Sequence, residues 1–323
     1  MSTATRSIPR AGWRTVARKE FTDHLLSARF TVLLVLLAIA AIGSVYASAS
    51  AIRGVAEKAA GTPALFLRLF TINANPIPFS FITFIAFLAP LLGIAFGFDA
   101  INGERSQGTL PRLVAQPIHR DDVINGKFAA GLAVIGLMLT SLTVIVAGLG
   151  IVTLGIVPSA GEVTRVIVWL IVAIIYVGFW LALATLASVM LRRASTSSLV
   201  SIAVWLVLAL FATLLFRLVA GVLAPAPADA TPTQVLRNAQ VELAVSRLSP
   251  VTLYDEATTA LLDPQVRSVG IVTYQQLDRA VVSQLTLDQS LLLVWPQLVG
   301  LLALTVVCFA FAYVGFMRQE IRA

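Results

Sequence analysis

The sequence predicts an all-α polytopic membrane protein: six transmembrane helices, an N-terminal amphipathic surface helix, a short cytoplasmic helix between spans 2 and 3, and a helical external segment between spans 5 and 6. Hydrophobic residues make up 58% of the 323 positions and charged residues only 12%. Soluble domains carry about 25% charged residues. The apolar residues also form uncharged blocks longer than about 18 residues, which favours membrane-spanning helices over buried helices of a soluble core. An ordinary globular protein is therefore excluded.

The first predicted element is a helix within the basic residues 1–29. An apolar stripe recurs there at helical spacing: Trp13, Ala17, Phe21, Leu25 and Ala28. The stripe predicts an amphipathic helix on the inner membrane surface, and a flexible basic tail is the alternative. A secretory signal is excluded because the apolar run that follows exceeds the roughly 7 to 15 residues of a signal core.

Six uncharged stretches predict the transmembrane helices. They are Phe30–Ile52, Leu69–Phe98, Phe128–Gly161, Val166–Leu191, Ala194–Phe216 and Gln289–Met317. The second helix is expected to begin near Phe79, after the turn-like "NANPIP", and Pro90 is expected to kink it. The third is expected to end near Val157, before "PSAG".

The distribution of basic residues predicts the orientation. Fourteen Lys and Arg residues lie in residues 1–29, 99–127, 192–193 and 318–323, against four in the short loops on the opposite side. Cytoplasmic loops carry the excess of such residues, so we expect a multi-pass protein of the cell membrane with both termini in the cytoplasm. The net charge of +7 then reflects basic loops near anionic lipid, and we expect no nucleic-acid partner.

The predicted regions are an N-terminal helix at 1–29, spans 1 to 5 at 30–216, an extracytoplasmic segment at 217–288, and span 6 with a cytoplasmic tail at 289–323. Pro225 and Pro227 indicate a linker to a separately packed external cap. Within this cap "LSPVTLYDEATTALLDP" predicts an amphipathic helix with one apolar side, formed by Leu253, Ala257 and Leu261. Its acidic residues are expected to form a solvated face: Asp255, Glu256, Asp263 and Asp278.

Several kinds of chemistry are missing from the sequence. The Gly126-Lys127 pair is followed by Phe128 rather than Ser or Thr, so no phosphate-binding loop for ATP is present. No HExxH or paired metal-ligand spacing occurs, and Cys308 is the single cysteine. The six stretches as bounded above contain no ionisable group, although ion-driven carriers usually place one at depth. Energy for any uphill transport is therefore expected from outside the bilayer.

Residues 101–127 form a polar insert between two apolar stretches. Leu110, Leu113 and Val114 form an apolar patch at i, i+3 and i+4, which predicts a helix of about two turns. This helix is either a docking site for a soluble partner or a solvated loop that packs on its neighbours. Asp121 and Asp122 then favour the start of the next helix, because acidic side chains complement its positive end.

The stretch "GFDAINGERSQGTLPRLVAQPIHRDDVINGK" closely resembles the segment between spans 2 and 3 of ABC-2 type permeases, the membrane subunits of a class of ATP-binding cassette transporters. The matching residues are Phe98, Asp99, Glu104, Arg105, Gly108, Thr109, Leu110, Pro117, Arg120, Gly126 and Lys127. His119 departs from the pattern, which often has Ser or Thr there. The stretch "LSPVTLYDEATTALLDP" also resembles a segment that precedes the last span in some members of this family. These members include the subgroup that resembles permeases of nitrous oxide reductase maturation.

The resemblance implies a permease whose coupling helix, residues 109–116, docks in a groove of a separate ATPase subunit. ATP and Mg would bind that subunit, with no cofactor on this chain, and a second permease copy, identical or not, would complete the transporter. The family mostly exports its substrates. The implied ATPase contacts are Glu104, Arg105, Thr109, Leu110, Arg112 and Leu113. The implied structural residues of this segment are Asp99, Gly108, Pro117, Arg120, Gly126 and Lys127, and Pro90 would let span 2 flex.

Three alternatives accompany this interpretation. Arg105 and Arg112 could bind lipid phosphates instead of a protein. The chain could be a membrane scaffold or sensor that recruits a cytosolic partner through the same helix. It could also be a polytopic membrane enzyme, for which the acidic residues of the external segment are the candidate groups.

Overall fold

The computed structural model describes residues 12–54, 64–73, 79–106, 108, 119–227, 229–266, 268 and 285–319, which form α-helices without any strand. The helices are α1 (Gly12–Leu25), α2 (Ala28–Gly54), α3 (Leu65–Thr71), α4 (Phe81–Gly97), α5 (Asn102–Ser106), α6 (Arg120–Leu154), α7 (Ala160–Met190), α8 (Ala194–Leu206), α9 (Ala212–Leu223), α10 (Pro232–Ser246), α11 (Pro250–Leu262) and α12 (Leu287–Met317). A π-helical turn, Val207–Phe211, joins α8 to α9.

Six of these segments are long and apolar enough to cross a membrane, which confirms the predicted class. They are Ala28–Gly54, Phe81–Ser106, Arg120–Leu154, Ala160–Met190, Ala194–Leu223 and Leu287–Met317. Four spans begin before the predicted uncharged stretches, at Ala28, Arg120, Ala160 and Leu287. The start at Arg120 agrees with the helix start that Asp121 and Asp122 indicate. Three of these helices carry acidic residues in the first turn, where they complement the positive helix end: Asp121, Asp122, Glu162 and Asp288.

Successive spans run in opposite directions, which gives the bundle two ends. The motif end holds residues 97–106 and 119–127, together with the end of α12. The opposite end, called here the α11 end, holds α3, α11 and the starts of α7 and α12. At that end Arg53 Nη2 of α2 donates to Thr153 O near the end of α6, at 2.8 Å.

The α4–α7 contact forms the centre of the bundle. A Cβ at Gly93 would lie 2.6 Å from the Val177 carbonyl oxygen, so only glycine permits this backbone approach. Small residues play this part in membrane bundles generally, since lipid offers no hydrophobic drive for helix association. Trp169, Tyr176 and Trp180 of α7 are fully buried beside the contact. α7 is thus the central helix.

Pro90 lies inside α4, as the sequence predicts, and it is buried. The kink at Pro90 stays a prediction. Proline has no N–H, so the carbonyl of Ala86, four residues earlier, loses its helical donor. The Tyr176 hydroxyl supplies the missing bond by donating to Ala86 O at 2.9 Å. A neighbouring span thereby satisfies the carbonyl that proline leaves open in an apolar environment.

α11 belongs to the main core, so the expectation of a separately packed cap is wrong for this helix. The predicted apolar side is confirmed, because Leu253, Ala257 and Leu261 are buried. Tyr254 is also fully buried and stacks on Tyr176, with ring centroids 4.3 Å apart. By contrast, α10 has no buried residue. The proline-rich linker precedes α10, and the chain returns to the bundle after it.

Candidate functional site: a charged hub at the motif end

α1 lies along the first turns of α6. Val16 and Glu20 are its buried residues, whereas Trp13 of the predicted stripe remains 40% exposed. The predicted helix is present, but its buried face is rotated from the predicted stripe and contains a carboxylate. A buried carboxylate needs a partner, and α6 supplies one.

Gly126 allows α1 to approach α6 closely. A Cβ at this position would lie 2.8 Å from the Trp13 carbonyl oxygen and 2.7 Å from Val16 Cβ. The resemblance implies a structural role for Gly126, and this close approach is the contact that its lack of a side chain permits. Asp122 reinforces the same contact, because its Oδ1 accepts from the Trp13 N–H at 3.0 Å and its Oδ2 accepts from His119 N–H at 3.3 Å.

Lys127 is the centre of the hub. Its Nζ lies 2.9 Å from Glu20 Oε1 and 3.2 Å from Glu104 Oε1, and its side chain is only 7% exposed. One ammonium thus joins α1, α5 and α6. Buried ions persist where opposite charges and hydrogen bonds replace water, and removing one partner leaves the others uncompensated.

A second ion pair ties α2 to the end of α4. Arg29 Nη1 lies 2.7 Å from Asp99 Oδ2, and the guanidinium carbon lies 4.9 Å from the centre of the Phe98 ring. Nearby, the His24 and Phe96 rings meet edge to face at 4.9 Å. Burial lowers the pKa of His24 below its ordinary value, so this imidazole is neutral near pH 7.

The third set of contacts anchors the motif to the ends of α7 and α12. Arg105 Nη2 donates to the side-chain oxygen of Gln319, and Arg120 Nη1 donates to the Gln319 backbone oxygen at 3.1 Å. Gln319 Nε2 donates in turn to Val189 O at 2.7 Å. The Ser188 hydroxyl accepts from the backbone N–H groups of residues 101 and 102, at 3.0 and 3.1 Å.

These contacts define the charged hub: Glu20, Arg29, Asp99, Glu104, Arg105, Arg120, Lys127 and Gln319. Both flanks of residues 107–118 are therefore fixed to α1, α2, α7 and α12. Gly108 has a φ of +67°, a left-handed conformation that glycine adopts without strain. Five of the sequence-predicted residues lie outside the described residues, and their roles stay predictions: Thr109, Leu110, Arg112, Leu113 and Pro117.

Sequence reasoning missed four members of this site or its supports: Glu20, Arg29, Ser188 and Gln319. Glu20 had a usable signal, since Lys127 begins an apolar stretch and a lysine there requires an opposite charge. Gln319 and Ser188 carried no such signal, because single neutral residues at helix ends are common. Within the described ranges, no group of three or more His, Cys, Asp or Glu side chains could hold a metal ion.

Known proteins can now be compared with this arrangement. Residues 14–321 match the family described as "ABC-2 family transporter protein". The chain belongs to this family. It is also similar to the probable ABC transporter permease protein NosY of Pseudomonas aeruginosa (strain PAO1), with 30% identity over 153 residues, which is 47% of this chain and 48% of that protein. The chain therefore matches about half the length of this relative.

The family assignment and the NosY-like resemblance confirm the identification made from the segment between spans 2 and 3. Every residue of the charged hub lies within the matched range 14–321. In this ABC-2 family member, the motif residues Asp99, Arg120, Gly126 and Lys127 hold the ends of the segment in place. Glu104 and Arg105, predicted to contact an ATPase, have partners within the chain, and their contact with an ATPase stays a prediction.

Proposed function

We propose that this chain is the permease subunit of an ABC transporter, which exports a substrate across the cell membrane with work done by a separate ATPase subunit. One observation carries the proposal. The two flanks of the predicted coupling helix are joined through the charged hub to four other helices, so a displacement of residues 109–116 would reach much of the bundle.

The proposed mechanism begins at the predicted coupling helix. Leu110 and Leu113 enter a groove of the ATPase as apolar anchors, while Thr109 and Arg112 supply polar contacts. Glu104 and Arg105 belong to the hub and precede this helix in the chain, so contacts that they make with the ATPase reach Lys127 and Gln319 directly. ATP-driven closure of the ATPase then alternates the permease between inward-open and outward-open states.

A second permease copy completes the proposed transporter. In the most apolar 18 residues of span 5, only 11% of the residues are buried. The same share is buried in span 6, against 61% in span 4. Lipid can cover such faces, but a bundle of six spans is also thin for a substrate path. We propose that span 5 or span 6 faces the second copy, which is identical to this chain or a related one.

The proposed orientation places the motif end and both termini in the cytoplasm, where ATP is available. The charge distribution supports it, with fourteen basic residues on that side and four in the short loops opposite. The ATP and Mg belong to the ATPase subunit.

Affinity purification of the tagged full-length chain from its native cells tests the proposal. The wild type should recover an ATPase with an ATP-binding cassette, and Leu113→Asp should lose it, because a carboxylate cannot enter an apolar groove. Leu248→Asp is the matched control. It makes the same change at a residue that is 72% exposed at the α11 end, and it should retain the ATPase.

Recovery of an unrelated cytosolic protein that Leu113→Asp releases would overturn the transporter proposal in favour of a scaffold or sensor. Loss of the ATPase with both variants would overturn the assignment of the contact to residues 109–116.

A further inference from the structure

Two adjoining cavities flank one face of α11. The first, of about 360 Å³, lies between α4 and α11 and is lined by Thr83, Phe87 and Thr258 among others. The second, of about 480 Å³, extends between the α9 side of span 5, α10 and α11, and is lined by Thr213, Phe216 and Leu243 among others. Both share the lining residues Ala209, Val251 and Asp255. They form one cleft with Asp255 at the junction.

Asp255 is a carboxylate without a counterion in this cleft. Seven ion pairs occur among the described residues, and none involves Asp255. Asp255 is exposed to the cleft, and the protein atoms packed around it raise its pKa to about 6. By contrast, each acidic residue of the charged hub has a basic partner. A cation that enters the cleft would supply the counterion that the described residues do not provide for Asp255.

A second polar group and an irregular backbone mark the same place. Thr258 lines the first cavity, is 3% exposed, and its hydroxyl has no hydrogen-bond partner of ordinary geometry. The π-helical turn Val207–Phe211 lines both cavities through Ala209. Such turns are rare, and they occur frequently at functional sites because they widen a helix locally.

The lining decides what kind of cation fits. Apart from Asp255, the charged lining residue is Glu242, whose carboxylate is 3.4 Å from Arg217 Nε. α4 and the π-helical turn contribute apolar side chains and threonines. A bare metal ion needs several oxygen ligands at short distance, and Asp255 brings one carboxylate. A ligand with one positive charge and an apolar body can pair with the carboxylate and also pack against the apolar side chains of the cleft.

We propose that this cleft binds an organic cation with a large apolar body, with Asp255 as the counterion and Phe87 and Phe216 among the walls. The inference rests on the proposed transport function in one respect, namely that such a cation is a transported substrate. Binding itself needs only the cleft.

Equilibrium dialysis of radiolabelled tetraphenylphosphonium against the purified full-length chain in detergent tests the proposal. This probe has a permanent charge, so its own protonation does not change with pH. We expect saturable binding that Asp255→Asn weakens about tenfold or more, since loss of one partner of a partly desolvated charge pair costs at least this much. Asp263→Asn is the control, because it removes the same charge at the end of α11, outside both cavities.

Two further measurements keep the proposal falsifiable if Asp255→Asn folds poorly. Ala209→Leu fills the shared part of the cleft without changing charge and should also weaken binding. For the wild type, binding should weaken as the pH falls from 7.5 to 5, because protonation removes the Asp255 charge. Glu242 is paired with Arg217 and lies at the far wall, so Glu242→Gln should leave this pH profile unchanged.

The outcomes separate the two proposals. Binding of tetraphenylphosphonium that is absent, or equal in the wild type and Asp255→Asn, overturns the cation site, and the ATPase purification still decides the transport function. Stronger binding of the isosteric anion tetraphenylborate also overturns it. Asp255-dependent binding by a chain that recovers no ATPase supports the site and overturns the proposed function.

Discussion

The two ends of the bundle treat charged side chains differently. At the motif end, Lys127 is matched by Glu20 and Glu104, and Arg29 is matched by Asp99. At the α11 end, Arg165 is 5% exposed, and within the described part of the chain its guanidinium donates to neutral groups, including Leu261 O at 2.8 Å and Ser290 Oγ at 3.1 Å. Asp255 at that end has no ion-pair partner among the described residues.

This difference indicates a division of labour. At the motif end, opposite charges on different helices pair with each other. These pairs stabilise the contacts between helices and leave no unpaired charge that a ligand could bind. An unpaired carboxylate beside a cavity can attract a cation that enters the cavity. The motif end is thus built to hold its helices together, and the α11 end to receive a molecule.

The largest expected effect is at the centre of the charged hub. Lys127→Met would leave Glu20 and Glu104 as two carboxylates without their shared cation, and should destabilise the protein by about 3–5 kcal/mol. Thermal unfolding in detergent measures the change. Lys19→Met is the control, because the Lys19 side chain is 65% exposed, and it should change stability by less than about 0.5 kcal/mol. Equal stability of the two variants would show that the ion pairs of Lys127 do not stabilise the fold, which would contradict the contrast between the two ends.

At the α11 end, Arg165→Met should cost about 2 kcal/mol, since it leaves buried carbonyl groups without a donor. Hydrogen–deuterium exchange should then rise in residues 250–262 and stay unchanged in residues 120–127. The exposed Arg192→Met serves as the control and should alter neither region. If exchange rose first at residues 120–127, the two ends would not be independent.

Gly126→Ala sharpens the comparison within one helix. The added methyl group would collide with α1 and should cost about 1–3 kcal/mol by overpacking. Gly148→Ala, also in α6, has nothing within 4 Å of its Cβ position and should be neutral or slightly stabilising. Limited proteolysis of α1 should accelerate in the first variant only, and protection of α1 in both would contradict the close contact.

The smallest effects concern pH and have opposite signs at the two ends. His24 at the motif end has a lowered pKa, so the unfolded chain takes up its proton first and stability falls as the pH drops below about 6.5. Asp255 has a pKa of about 6, above its unfolded value, so its protonation in the fold raises stability as the pH falls from 7 towards 4.

His24→Phe should remove the acid-induced loss, and Asp255→Asn should remove the acid-induced gain while raising stability at pH 7 by about 1 kcal/mol after allowance for its exposed side. Unfolding temperatures of both variants between pH 7.5 and 4.5 provide the measurement. Profiles that shift in the same direction for both would contradict the opposite environments of these groups.

The sequence was a good guide to the spans and to the motif, and a poor guide to what surrounds them. Long uncharged stretches identify membrane helices because nothing else buries so many apolar residues in a row. The motif also contains Asp99, Gly126 and Lys127, which make contacts between helices at the motif end. It did not reveal Glu20, whose partner is more than a hundred residues away in the chain.

The position of α11 was the main surprise. Its short apolar side is compatible with an external cap or with a place in the bundle, since both bury one face of a helix. The stacking of Tyr254 on Tyr176 places α11 in the bundle. A contact between residues so far apart in the chain leaves no local pattern in the sequence. Asp255 is exposed, as expected for a residue of a solvated face, but the two cavities beside it form between distant parts of the chain and have no local signature.

Cysteine labelling of intact cells tests most directly whether the charged hub faces the cytoplasm, where an ATPase could reach it. In a Cys308→Ser background, single cysteines replace Ser106 at the motif end and Leu248 at the α11 end, both of which are exposed. A membrane-impermeant maleimide should label the Leu248→Cys chain in intact cells and the Ser106→Cys chain only after permeabilisation. Labelling of Ser106→Cys from outside, with Leu248→Cys protected, would contradict the proposed coupling to ATP.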